Sequence, residues 1–461
     1  MNDKHGLLSA PINQTLRKMT IPMVFGLFAI IMFNVVDTFF ISQLGTEALA
    51  AVSFTFPITF AVNSITLGLG VGIAALVGRL LGQGDHQDAA RVSTHGLLLA
   101  LLLVMLVGWL GAATIVPVFS ALGASKDLLP LIHEYMQIWY LTIPLLVVPM
   151  AGNAAIRATG DTKTPAKIMM VSGLINGVLD PLLIFGLGPF PELGVQGAAI
   201  ASALSWAGAM LAALIVLTRR EQLLIAPQWQ QIGTDVSQIL KIGMPAGMTN
   251  ALNPAAAAIL MMMLASQGTE SVAAYGAAQR IEAILLIVMM AMTSSLTPLM
   301  SQNFGAQYHQ RAFQALFSAM RFAILFQFAL YLSLWPFIDL IADVFSDDVR
   351  VQQEIAHYLM VVPASYGLQG TLMLLVRRPE CHEAFAAFVR LQPSPFVCFL
   401  SALCVAGRHG QRHPWPVCGN RCCQSTGRYY GVPVCRGVAP SNTGFVTAGL
   451  IQVIHSVLQG I

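Results

Sequence analysis

Met19–Ile41, MTIPMVFGLFAIIMFNVVDTFFI, is an apolar run whose only amide is Asn34, only carboxylate Asp37 and only proline Pro22. A helix needs about 20 mostly apolar residues to cross a bilayer. This run is long enough, and too long for the apolar core of a cleavable signal, while Met1–Lys18 before it is polar. It therefore reads as a membrane span and not as a leader. Nine further segments of the same kind follow: Leu49–Val77, Gly96–Phe119, Leu131–Ala155, Ile168–Leu187, Gly197–Thr218, Ile239–Leu264, Val272–Met300, Phe313–Leu334 and Ile355–Val376. The chain as a whole is 56% hydrophobic and 10% charged, against about a quarter charged in an average soluble domain. Backbone polar groups in hydrocarbon must bond internally, and the alternation expected of barrel strands is absent, so the expected fold is all-α.

The positive charges fall to one side. Of the 16 Lys and Arg residues before position 377, 13 lie at alternate connections: Lys4, Arg17, Lys18; Arg79, Arg91; Arg157, Lys163, Lys167; Arg219, Arg220, Lys241; Arg311, Arg321. The opposite connections hold only Lys126 and Arg350, and Arg280 sits within an apolar run. The positive-inside rule then puts the N-terminus in the cytoplasm. One missed helix would scramble this pattern, so it also supports the segment count.

The chain repeats itself with one constant offset, the step that takes Pro22 to Pro245. The same step takes Gly45-Thr46-Glu47 to Gly268-Thr269-Glu270, Ala50 and Ala51 to Ala273 and Ala274, Gly82 to Gly305, and His86-Gln87 to His309-Gln310. An offset held through turns and polar loops implies two six-helix lobes, related by an axis along the membrane normal and facing each other across a central cleft. The lobes read as residues 1–225, with six spans, and 226–376, with four.

After Val376 the pattern stops. Residues 377–461 hold all seven cysteines, eight arginines and no lysine, with only a weak apolar candidate at Gly444–Ile461. Such a change of composition is expected of a shifted frame that replaces the last two helices. The competing reading is a cysteine-rich module on Cys418, Cys422 and Cys423, which lacks the paired spacing of a metal site.

Ionisable groups inside spans are costly, which makes Asp37, Asp180 and Glu282 candidates for function. Asn34 precedes Asp37 by one turn, and Asn176 precedes Asp180 by four residues, so each carboxylate shares a helix face with an amide. Two carboxylates and two amides in one lobe would make an oxygen-rich pocket for a proton or a sodium ion. The bland alternative is that each acid only bonds a neighbouring group and holds helices together. The repeat partner of Asp37 is Leu260, whereas Arg280 and Glu282 map to Pro57 and Thr59, so the lobes are not chemically equivalent. Met261 and Met289, in two methionine clusters, suit either an adaptable cleft or an ordinary apolar core. No nucleotide loop, metalloprotease motif or catalytic triad is present, so an enzyme is not expected and transport would draw on a gradient.

Pro22, Asn34-Val35-Val36-Asp37, Gly45 through Ala51, Arg157 through Pro165, Asn176 to Asp180 and Gly197 through Ser202 together resemble the MATE (multidrug and toxic compound extrusion) family, in particular its bacterial branch with an acidic site in the N-lobe. The resemblance implies twelve helices in two lobes and an alternating-access antiporter in the inner membrane. Such a protein exports small organic cations in exchange for H+ or Na+, as a monomer among lipids, with no resident cofactor and no nucleic-acid partner. It places Asp37, Asn176 and Asp180 in the cation site, adds Tyr135 and Ser202 to it, and makes Pro22 the bend of the first helix. The alternatives left open are a lipid-precursor flippase of the same superfamily and a non-transporting remnant.

Overall fold

The structure, a computed structural model, describes residues 6–265, 269–345 and 348–375; the 377–461 tail, with Cys418, Cys422, Cys423 and the Gly444–Ile461 candidate, lies outside the described residues. Every regular element among the described residues is helical.

The first segment forms α1 (Ile12–Ser42), which runs through Pro22 as one helix. Glycine in the left-handed region closes the helix that follows: α2 (Thr46–Gln83) ends on Gly84 at φ 87°. Asp85 then caps α3 (His86–Ala113) by accepting the Asp88 N–H at 3.1 Å. The short α4 (Ile115–Ala121) completes the third segment, and α5 (Leu129–Ala158), α6 (Lys163–Ile184) and α7 (Gly194–Ile215) complete the lobe. Asp161 starts α6 by accepting the N–H groups of Lys163 and Thr164 at 3.0 and 3.1 Å.

The N-lobe is built around α5, which packs on α2, α3 and α7, while α6 bridges α1 and α7. Ala151, Ala154, Ala155 and Ala158 of α5 and Ala198, Ala199 and Ala201 of α7 are buried. Small residues let backbones approach closely where lipid gives no hydrophobic drive for helices to associate. The opposite faces show what that solvent is: Trp109, Leu141 and Leu174 are 71%, 80% and 70% exposed. Seven described helices are long and apolar enough to cross a membrane, eight when one bent pair counts as a single span.

The second lobe repeats the first. It comprises α8 (Ile232–Ala265), α9 (Thr269–Leu285), α10 (Ile287–Gly305), α11 (His309–Leu334), α12 (Ile338–Phe345), α13 (Val349–Val361) and α14 (Tyr366–Leu375). Thr46 opens α2 and its repeat partner Thr269 opens α9; His86 opens α3 and its partner His309 opens α11. One difference stands out. The single expected segment Val272–Met300 is broken by 43° between α9 and α10, whereas α2 runs uninterrupted over the matching positions.

The lobes meet where α2 crosses α10, and that crossing has its own two-fold symmetry. A Cβ at Gly82 would collide with the Gln302 carbonyl oxygen, and a Cβ at Gly305 would collide with the Arg79 carbonyl oxygen. Gly305 is the repeat partner of Gly82, and Gln302 that of Arg79. Between them Gly78 meets the side chain of its own repeat partner, Ser301. A residue touching its own counterpart lies on the axis, so the pseudo-two-fold passes between Gly78 and Ser301.

Candidate cation-binding site

Four helices of the N-lobe bring five of the six expected cation-site residues together. Asn176 and Asp180 share one face of α6, as their spacing requires, and both are fully buried. The Asn176 amide N–H groups donate to Asp180 Oδ1 at 3.0 Å and to Ser202 Oγ of α7 at 3.3 Å. Asp37 of α1 and Tyr135 of α5 complete the group: the two aspartates are near enough to act on each other electrostatically, and both act on the buried Tyr135 hydroxyl. Asn34 does not join them. It is exposed, and its amide donates to the Ile30 carbonyl of its own helix at 2.8 Å.

The group has more acceptors than donors. Asp37 Oδ1, Asp180 Oδ2 and Asn176 Oδ1 are buried, and none receives a hydrogen bond. Buried polar atoms are otherwise nearly always paired, and a buried carboxylate without a partner is costly. Among the described residues no three His, Cys, Asp or Glu side chains converge as metal ligands. The donor set is thus two carboxylates and one amide carbonyl, hard oxygens of the kind that hold a proton or a small hard cation.

The C-lobe carries a different polar group. Glu282 Oε2 of α9 accepts from the Tyr358 hydroxyl at 3.0 Å and from Gln279 Nε2 at 3.3 Å, and Gln279 also donates to the Tyr275 hydroxyl at 3.0 Å. Tyr275 and Tyr358 meet edge to face with centroids 6.4 Å apart, and the buried Tyr366 lies beside them. Glu282 is therefore well supplied with donors, the opposite of Asp37. Arg280, two residues earlier, is exposed and on another face. Met289 is fully buried against Gly370, and Met261 is half-buried.

Tyr275, Gln279, Tyr358 and Tyr366 were not expected from sequence, although one signal for them existed. Tyr358 is the repeat partner of Tyr135, so each lobe sets a tyrosine from the same position of its fourth segment against a carboxylate.

The MatE family model matches residues 22–182 and 245–376. The chain belongs to the MatE family. A protein of Shewanella oneidensis named FAD transporter is 46% identical over 376 residues, covering 81% of this chain and 83% of that protein. The probable multidrug resistance protein YoeA of Bacillus subtilis is 24% identical over 337 residues, covering 72% and 73%. Among solved structures, the Vibrio cholerae MATE transporter VcmN in its bent form superposes with a TM-score of 0.76 at 30% identity, covering 79% of this chain and 83% of that one. This MatE chain is accordingly a multi-pass membrane protein of the two-lobed transporter fold. The two matched stretches start at the repeated prolines, Pro22 and Pro245, and the second ends at 376, where the composition changes. Asp37, Tyr135, Asn176 and Asp180 fall in the first stretch, and Glu282, Tyr358 and Tyr366 in the second.

Proposed function

We propose that this MatE protein is a secondary antiporter in which Asp37, Asn176 and Asp180 alternately hold and release one coupling cation, H+ or Na+. The observation that carries this reading is the set of buried carboxylate and carbonyl oxygens without donors. Two carboxylates that act on each other in a low-dielectric interior need a positive partner. A proton or sodium ion supplies one, and its departure leaves a pocket that favours the next. Pro22 gives up one backbone hydrogen bond in α1, the helix that carries Asp37, and so provides a weak point at which that helix can bend.

With the N-terminus cytoplasmic, as the charge asymmetry indicates, the α2–α10 crossing closes the cytoplasmic side and the cleft faces outward. The protein then works as a monomer in the inner membrane and not as an enzyme. Its cargo on the sequence reading is a small organic cation. A second reading, flavin adenine dinucleotide, is favoured by the name of the Shewanella relative at 46% identity.

Proteoliposomes holding the purified chain test both. Under an imposed pH or sodium gradient, Asp37→Asn should abolish gradient-driven movement of whichever cargo the parent carries, ethidium or flavin dinucleotide, while leaving the protein folded. Undiminished movement in Asp37→Asn would reject the coupling role, and movement of flavin but not ethidium would select the second cargo.

A further inference from the structure

Each lobe grips the chain segment that leads into the other. On the N-lobe side, α3 holds the linker and the first turn of α8. Thr94 Oγ1 accepts the Ile225 N–H at 3.1 Å, and His95 Nε2 accepts the Gln228 N–H at 3.1 Å. His95 Nδ1 lies 2.7 Å from Asp235 Oδ2, and Arg91 Nε donates to the same oxygen at 3.0 Å. His95 is fully buried and Asp235 nearly so. Because Nε2 takes a backbone N–H, the ring proton is assigned to Nδ1, where it points at Asp235.

On the C-lobe side, α10 and α11 hold the segment before α1. Arg311 donates to the Ala10 and Leu7 carbonyls, Asn303 Nδ2 donates to the Leu7 carbonyl at 3.1 Å, and the Ser318 hydroxyl donates to Asn13 in the first turn of α1. Leu7 is fully buried in this grip.

The two grips are copies. Ser318 is the repeat partner of His95, and Asn13 is one residue past the repeat partner of Asp235. Both lie on the side of the molecule where Gly78 meets Ser301. Chemically they differ: one is buried and ionic, the other exposed and neutral at its side-chain pair.

We propose that the two lobes are held together, on the side where Gly78 meets Ser301, by these two repeat-related latches, and that His95 and Asp235 are gating residues whose bond breaks each time the lobes part there. The α3–α8 and α11–α1 contacts join opposite lobes, so the lobes cannot part there while both persist. Neutralising Asp235 takes the α8 charge away from both His95 and Arg91, and removing His95 leaves Asp235 to Arg91 alone; each change weakens the closed state and not the open one, which biases the lobes toward opening. The exposed Ser318–Asn13 bond competes with solvent and contributes less. The inference rests on alternating access and is independent of which ion drives it.

The test uses the full chain with its seven native cysteines replaced by serine and spin labels at Gln87→Cys and Gln310→Cys, an exposed repeat-related pair. Pulsed electron resonance should give one short distance in the parent. Asp235→Asn and His95→Ala should each raise a longer-distance population about tenfold. Ser318→Ala, which removes only the exposed bond and carries little folding risk, should raise it by less. The same shift should appear when Asp37→Asn is added, which separates a failed latch from a failed coupling site. Identical distances in the parent and all three latch variants would overturn the proposal. A shift with Thr94→Val as large as with Asp235→Asn would also overturn it, because the linker alone would then be what is held.

Discussion

At the residue scale the difference between satisfied and unsatisfied oxygens separates the two lobes. Glu282 accepts from Tyr358 and Gln279, while Asp37 Oδ1 and Asp180 Oδ2 accept from nothing. Tyr358→Phe should therefore act mainly on stability. It takes a donor from a half-buried carboxylate, a loss of about 1–3 kcal/mol, and the purified variant should melt earlier in a thermal-shift measurement while keeping cation dependence. Ser202→Ala removes only a 3.3 Å acceptor from Asn176. It should slow gradient-driven transport by less than about tenfold, given the ~1 kcal/mol net value of one hydrogen bond. Asp37 and Asp180 stood out in the sequence because charge within an apolar run is costly enough to be rare, and Asn176 because its spacing puts it on the face of Asp180. Asn34 was grouped with them by the same spacing argument, and the structure instead turns its amide back onto Ile30. Spacing fixes which face a side chain leaves from, not what it reaches.

At the element scale α9 and α11 start at the positions that the repeat offset pairs with the starts of α2 and α3, although the apolar segments read from the sequence began later, at Val272 and Phe313. The break between α9 and α10 was not legible. No glycine or proline marks Ile284–Met290, and hydropathy there is continuous. The glycines at the crossing matter for a reason visible only in three dimensions. A side chain at Gly305 would strike the Arg79 backbone oxygen, which has no rotamer to yield. Gly305→Leu should hold α2 and α10 apart. A cysteine replacing the buried Ser301 should then react with N-ethylmaleimide much faster than in the parent. Equal reactivity would show that the crossing does not depend on that close approach.

At the scale of the whole molecule, two lobes meet about a pseudo-two-fold between Gly78 and Ser301, and one lobe supplies the asymmetry. The family match over the first lobe runs to 182, whereas over the second it stops at 376, short of the position that the repeat pairs with 182. That shortfall coincides with the change to a cysteine- and arginine-rich tail. If the tail is a shifted reading of the last two helices, another frame of the same coding sequence should encode two apolar segments of about 20 residues, and the chain restored to that frame should transport faster than the present one. Composition alone exposed this boundary, because an apolar lobe and a Cys/Arg-rich stretch call for different solvents. Cargo was least legible: no residue of either polar group names a ligand, and a cationic drug and a flavin dinucleotide place different demands on the same fold.

The coupling cation itself gives the most direct test. Equilibrium binding of radiolabelled sodium, with proton uptake followed in parallel by a pH indicator, needs only the purified chain in detergent. A coupling pocket at Asp37 and Asp180 gives saturable binding of one of the two ions in the parent, lost in both Asp37→Asn and Asp180→Asn. Binding of equal strength in the parent and both variants would contradict it, as would binding of neither ion by the parent.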